Sequence, residues 1–422
     1  MRRGRRRVHS VSIKTQSMAL RSICRNPLFF VLVGALVTAC GGSSGPQSAV
    51  DSSDGPIDQP VVVNLYPSQP ATGVARLIAM VTSVGSVPVS VPVIFDTGSA
   101  GITLYAPGIF PVTMVNGNGF VFPEGESSIT YNGITVTNQQ GTRTYGTTNP
   151  RAQNGNIGYA QLTFGDAQGQ LTTEVMPVFF YYSITDVTSG EMIEVPSFQH
   201  GIFGVASTSG TIALPGSVEP AGGYPACATD TNSTCWVVSV LKYLRYGPSV
   251  SAGFMLTPAP IQSCDITSDG SCLPVPMLTV GLTAALEAGF STLSLPCPPN
   301  GYLGPASIAG YPVCQKTIDG TTIMISGGAA GSITGDSVFD TGTANMQIAT
   351  PAGSTFPSSV PVGSSVLVTT PSGFTYNYTS TVSDPLATVV NAGFAGPSII
   401  GIGYFTTNSL FIDFDARLEG WK

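Results

Sequence analysis

The sequence predicts an all-β protein with one internal repeat. Three observations carry that expectation. Only 9% of the 422 residues are charged while 42% are hydrophobic, and 15 Tyr and 20 Phe are available to build a core. The 50 Gly and 33 Pro accompany abundant Thr, Ser and Val, a mixture that suits strands and tight turns and serves long solvated helices poorly. An octapeptide also recurs: Val93-Ile94-Phe95-Asp96-Thr97-Gly98-Ser99-Ala100 returns as Ser337-Val338-Phe339-Asp340-Thr341-Gly342-Thr343-Ala344. The length fits one large domain or two.

The N-terminus reads as an address. Half of the 16 Lys and Arg lie before residue 26, and no Asp or Glu precedes Asp51. An apolar run, Pro27 to Ala39, follows the basic stretch and ends at Cys40 and Gly41-Gly42-Ser43. A basic segment, a short apolar segment and small residues at the cut describe a secretory signal, and the run is too short for a comfortable membrane span. Val37-Thr38-Ala39-Cys40 resembles a bacterial lipobox. That resemblance implies cleavage before Cys40, a lipid on its sulfur, and a membrane as partner through that lipid. Gly41 after the cysteine resembles lipoproteins of an outer membrane, with the face left open. Residues 1–39 are therefore expected to be a lipoprotein signal peptide, with Met18 as a possible true start. Residues 40–72 are expected to be the lipidated Cys and a flexible tether rich in Ser, Gly, Pro and Asp.

The rest of the chain excludes several functions. After residue 26 only eight basic residues face 23 acidic ones, which argues against nucleic acid as a partner, because phosphate contacts need Lys and Arg. The two histidines, His9 and His200, cannot build a zinc site of two or three His. A Ser-His-Asp site would have His200 alone, with no Gly-x-Ser-x-Gly elbow beside it. No metal and no cofactor are expected, and no oligomerisation signal is visible, so a monomer is expected. Six cysteines fall into near pairs, giving Cys227–Cys235, Cys264–Cys272 and Cys297–Cys314 as the expected disulfides of an exported chain, out of fifteen connectivities. Val237, Val240, Leu241 and Leu244 repeat at helical spacing and predict a helix over 236–246.

Carboxylates remain for acid–base work, and the repeat supplies two. An apolar strand would deliver Asp96 and Asp340 from rigid elements, and Gly98 and Gly342 would allow close backbone approach behind each carboxylate. The hydroxyls of Thr97 and Thr341 could bond across to the opposite loop, and Ser99 and Thr343 could orient the carboxylates. Two carboxylates held together cannot both ionise easily, so one keeps a proton where the other has lost it. Such a pair can activate a water and protonate a leaving nitrogen.

Here the sequence resembles the pepsin-like aspartic proteases. The resemblance runs from about residue 74 to 422. Gly85 stands where the family's first hairpin leads into the first triad. Tyr145-Gly146-Thr147 looks like the tip of the flap that closes over substrate, followed by Gly158-Tyr159 and Leu162-Thr163-Phe164-Gly165. Gly201-Ile202-Phe203-Gly204 and Ile399-Ile400-Gly401 resemble the elements that support the two catalytic loops, and Leu410 to Asp415 resembles the closing strands. The resemblance implies a bilobal, all-β pepsin-like fold with a few short helices, its lobes meeting at a six-stranded central sheet. The N-terminal lobe would span 73–257 and the C-terminal lobe 258–422. It implies an aspartic endopeptidase acting on an extended peptide or protein substrate, with Asp96 and Asp340 catalytic and Tyr145 closing the cleft. One departure stands out: Thr103-Leu104-Tyr105 replaces the bulky Trp that usually braces the flap. The alternative is a catalytically inactive relative that binds peptides or proteins. A third reading, a surface protein without cleft chemistry, requires the two Asp to lie far apart.

Overall fold

The computed structural model describes residues 55–71, 73–146, 150–195, 200–214, 228–229, 234–266, 271–299, 305 and 307–422. The signal segment, Cys40, Thr147 and Cys227 lie outside the described residues. The fold is all-β and bilobal, as expected from the sequence. Among the described residues the lobes share a six-stranded antiparallel sheet. Its order is Val61–Ser68, Val275–Leu282, Ser251–Leu256, Leu410–Asp413, Leu418–Trp421 and Ser291–Ser294. Phe254, Leu278, Leu410, Phe411 and Trp421 are buried across it, so both faces of this sheet are covered. Uninterrupted apolar runs such as Gly253-Phe254-Met255-Leu256 suit a strand buried on both faces.

Each lobe then repeats one device around its triad. In the first, the hairpin Arg76–Val84 and Val87–Asp96 turns at Gly85, whose φ is +55°. A side chain there would strike the Asn132 carbonyl at 2.5 Å, so only glycine fits. The strand ending at Asp96 pairs in parallel with Gly201–Val205, which in turn lies antiparallel to Ala100–Tyr105. In the second lobe, Gly331–Phe339 pairs with Ile318–Ser326 on one side and in parallel with Ser398–Ile400 on the other. Ser398–Ile400 also meets Met346–Thr350 antiparallel. In both lobes, then, the chain leaves a strand, makes the Asp-Thr-Gly turn, and is clamped by a distant strand inserted between the two.

Two expectations need correction. The tether does not reach residue 72. Ile57 is buried and bridges to Tyr246, and Val61–Ser68 is a full strand of the central sheet with Val63 and Leu65 wholly buried. The β-branched run Val61-Val62-Val63 outweighs the flanking Ser and Pro. The helix over 236–246 is also absent. Thr234–Val238 is a strand paired with Ser209–Ala213. Only Val240–Tyr243 turns, as a short 3-10 helix capped by the Ser239 hydroxyl accepting from Leu241 N at 3.3 Å. Val237, Val240, Leu241 and Leu244 are all buried. Burial on every side produces an apolar pattern that periodicity cannot separate from a helix.

The expected disulfides Cys264–Cys272 and Cys297–Cys314 are formed. Cys235 is also disulfide-bonded.

One buried and one half-buried carboxyl give the fold a pH dependence. Glu419, beside Ile412 and Leu293 on neighbouring strands, is pushed by burial from the usual 4.5 up to about 8. Glu287 is raised to about 7 by burial and by sharing a hydrogen bond with Asp413. A carboxyl raised in the folded state stabilises below its unfolded value and loses that contribution as pH rises through its folded value. Buried Lys242, pushed down to about 7, works in the other direction only above that pH. Thermal melts should therefore show the midpoint falling by several degrees between pH 4.5 and 7, and Glu419→Gln should flatten that slope.

Candidate active site

The two triads meet tip to tip through a closed set of hydrogen bonds. Thr97 N donates to Thr341 Oγ1 at 3.0 Å, and Thr341 N donates to Thr97 Oγ1 at 3.0 Å. Each hydroxyl then donates across to the opposite strand: Thr97 Oγ1 to the Phe339 carbonyl at 2.8 Å, and Thr341 Oγ1 to the Phe95 carbonyl at 2.6 Å. Both threonines are buried, Thr341 completely. In that setting a lost partner costs more than the bond itself is worth, because the orphaned group stays desolvated.

This lock sets the carboxylates face to face. Asp96 Oδ1 accepts from Gly98 N at 2.8 Å and Oδ2 from Ser99 Oγ at 2.6 Å. Asp340 repeats the set, with Gly342 N at 2.7 Å and Thr343 Oγ1 at 2.8 Å. The glycines explain the closeness. A side-chain carbon on Gly98 would lie 2.4 Å from the Asp340 carboxyl carbon, and one on Gly342 would lie 2.6 Å from that of Asp96. Each glycine is thus the floor beneath the other loop's carboxylate. The reading that requires distant carboxylates does not describe this chain.

Asp96 is the deeper of the two, 8% exposed, whereas Asp340 is half-buried. Burial first, then the charge of Asp340 and a hydrogen bond between the two carboxyls, push Asp96 up to about 7; the Ser99 hydroxyl and the Lys316 ammonium pull it back. One proton is held by the pair well above the usual carboxylate range.

No family model and no curated protein matches this chain. Among solved structures it is similar to an aspartic proteinase. That protein is from Irpex lacteus, with 13% identity, 86% of this chain and 96% of that one covered, and a TM-score of 0.47.

The hairpin expected to carry the flap is formed by Ile134–Tyr145 and Arg151–Ala160, with Tyr145 opposite Arg151. Gly146 follows at φ +86°. The Tyr145 hydroxyl is buried without a hydrogen bond of good geometry, and the Thr103 hydroxyl approaches it. Burial pushes this phenol up, and the charge of Asp96 adds to the effect. Thr103 instead engages Ile202 N at 3.2 Å. The brace for Tyr145 comes from Arg143, whose guanidinium stacks over the ring at 4.9 Å and donates to the Ala100 carbonyl. His200 packs against Tyr105 at 5.8 Å between ring centres and stays at the periphery.

Arg76, Arg143 and Lys316 were not singled out from the sequence. Arg76 is held mostly out of water and feels Asp340, Asp96 and Asp384. Lys316 Nζ donates to the Gly98 carbonyl. The signal that could have found them is scarcity: with eight basic residues after residue 26, each one buried near acids has a reason to be there.

Thr341→Val should destabilise the fold by about 2–3 kcal/mol in denaturant melts, because it orphans Thr97 N and the Phe95 carbonyl. Gly98→Ala should cost about 3 kcal/mol or fail to fold, since the locked loops cannot move apart.

Proposed function

We propose that the chain is an exported, lipid-anchored aspartic endopeptidase that hydrolyses peptide bonds in extended peptides or proteins. The observation that supports this reading most is the pair of carboxyls sharing a hydrogen bond, each with the same backbone and hydroxyl donors. In the monoprotonated pair, one carboxylate takes a proton from a water while that water attacks the peptide carbonyl. The other carboxyl gives its proton toward the substrate and, as the bond breaks, the departing nitrogen is protonated. No covalent intermediate forms. Substrate backbone would bond along the cleft and its side chains fill pockets, with Tyr145 and its Arg143 brace closing from the hairpin above. The lipid on Cys40 would place the enzyme on an outer membrane. Disulfides Cys264–Cys272 and Cys297–Cys314 support an oxidising, exported setting.

The test is cleavage of a mixed peptide library by the purified full chain from pH 3 to 8. Activity is expected at acid pH and should fall away as pH rises through about 7, where Asp96 gives up the pair's proton. Asp96→Asn and Asp340→Asn should each lower kcat at least ~100-fold with the melting point kept or raised. A folded wild-type chain that cleaves nothing at any pH would instead favour a peptide-binding relative without catalysis.

A further inference from the structure

The first Asp-Thr-Gly loop is held from behind by a segment that the two-carboxylate chemistry does not use. Val313 to Thr317 runs between the short strand Tyr311–Pro312 and the strand Ile318–Ser326. It is pinned at Cys314 and Gln315. Cys314 is bonded to Cys297, and its N–H donates to the Ser207 carbonyl at 3.4 Å. Gln315 N donates to the Pro296 carbonyl at 2.7 Å, and the Gln315 carbonyl accepts from the Ser207 hydroxyl at 3.5 Å. Lys242, 3% exposed, donates to the Ser207 carbonyl at 3.2 Å and to the Pro312 carbonyl at 3.0 Å. Next to Ser207, Ala206 N donates to the Ser99 carbonyl at 2.8 Å. The segment is therefore a rigid mount fixed to the turn that carries Asp96.

From that mount the half-buried Lys316 side chain reaches across 218 residues of sequence to the Gly98 carbonyl. Gly98 lies directly against the Asp340 carboxylate, so the ammonium sits at the edge of the acid pair. It makes no ion pair there: among the described residues the ion pair found is Arg245–Glu174. A carbonyl needs only an N–H, and a neutral donor would serve. A full positive charge delivered on a disulfide-anchored mount does something further.

We propose that Lys316 is a positioning residue of the acid pair, whose charge opposes the proton that the pair holds and so sets the upper pH limit of the range in which the pair can work. The inference rests on the reading of Asp96 and Asp340 as that pair. Asp96 is faced by Asp340, by the Ser99 hydroxyl on its own loop, by Lys316 from the mount, by Arg76 from the strand Arg76–Val84 and by Tyr145 from the hairpin. Burial and Asp340 favour the protonated form. Lys316 and Arg76 oppose them, and Lys316 alone also touches the loop that carries Asp96. Without it Asp96 would keep the pair's proton to a higher pH, and activity would reach further toward neutral pH.

The experiment compares the full-length wild-type chain with Lys316→Gln, Lys316→Met and Lys316→Arg. Gln keeps an N–H donor and removes the charge; Arg keeps the charge. Two readouts are taken: the 13C-carboxyl titration of Asp96, with its signal assigned through Asp96→Asn, and the pH profile of kcat/KM. In the Gln and Met variants the Asp96 midpoint should rise by about one pH unit, and the alkaline limb of the activity profile should move up with it. Arg should restore both. An Asp96 midpoint unmoved in a folded Gln or Met variant overturns the proposal, and so does a uniform loss of activity without a shift of the alkaline limb. A midpoint that rises in a wild-type background that cleaves nothing upholds the role of Lys316 while removing the peptidase reading.

Discussion

Everything at the centre of this molecule depends on the reciprocal bonding of Thr97 and Thr341. Two threonines from loops 244 residues apart each receive the other's N–H and each donate to a carbonyl on the strand behind the other. No solvent reaches this junction, so the four bonds cannot be exchanged for bonds to water. Two carboxyls then occupy a space that either one would fill more comfortably alone. The arrangement persists because each carboxyl is given an N–H and a hydroxyl, and because the pair keeps a proton between them. Electrostatic strain that would otherwise open the cleft is absorbed by that shared proton.

The same logic extends beyond the pair. Glu419 and Glu287 also favour their protonated forms, and they lie in or against the central sheet that joins the lobes. Acid conditions therefore suit the sheet as well as the dyad. The few basic residues are spent selectively: Arg143 on the ring of Tyr145, Lys242 on the mount behind the first loop, Lys316 on Gly98 itself. In a body this acidic, Lys316 and Arg76 beside the two carboxyls offset local charge repulsion that the surface leaves to solvent.

Much of this was legible in the sequence. The repeated octapeptides located both carboxyls, both glycines and both hydroxyl pairs, because strand, turn and chemistry are all encoded within eight consecutive residues. The Gly201 and Ile399 segments that clamp the loops were legible only through the family resemblance. Long-range partners were not. Nothing local to Val313–Thr317 announces that Lys316 ends at Gly98, and nothing in Thr103 announces that the brace for Tyr145 would come from Arg143 on the same strand. The two misreadings share one cause. In Val61–Ser68 the flanking Ser and Pro masked a β-branched run that pairs with a strand more than 200 residues away, and in 236–246 burial on every side hid the strand; local composition and periodicity do not show which distant strand covers a segment.

The most direct test of the shared-proton pair is the crystal structure of the chain with a peptide whose scissile carbonyl is replaced by a tetrahedral hydroxyl. The account places that hydroxyl between the two carboxyls, within hydrogen-bond distance of both Asp96 and Asp340, with the peptide extended beneath Tyr145. A peptide bound elsewhere, or a hydroxyl engaging neither carboxyl, would contradict it.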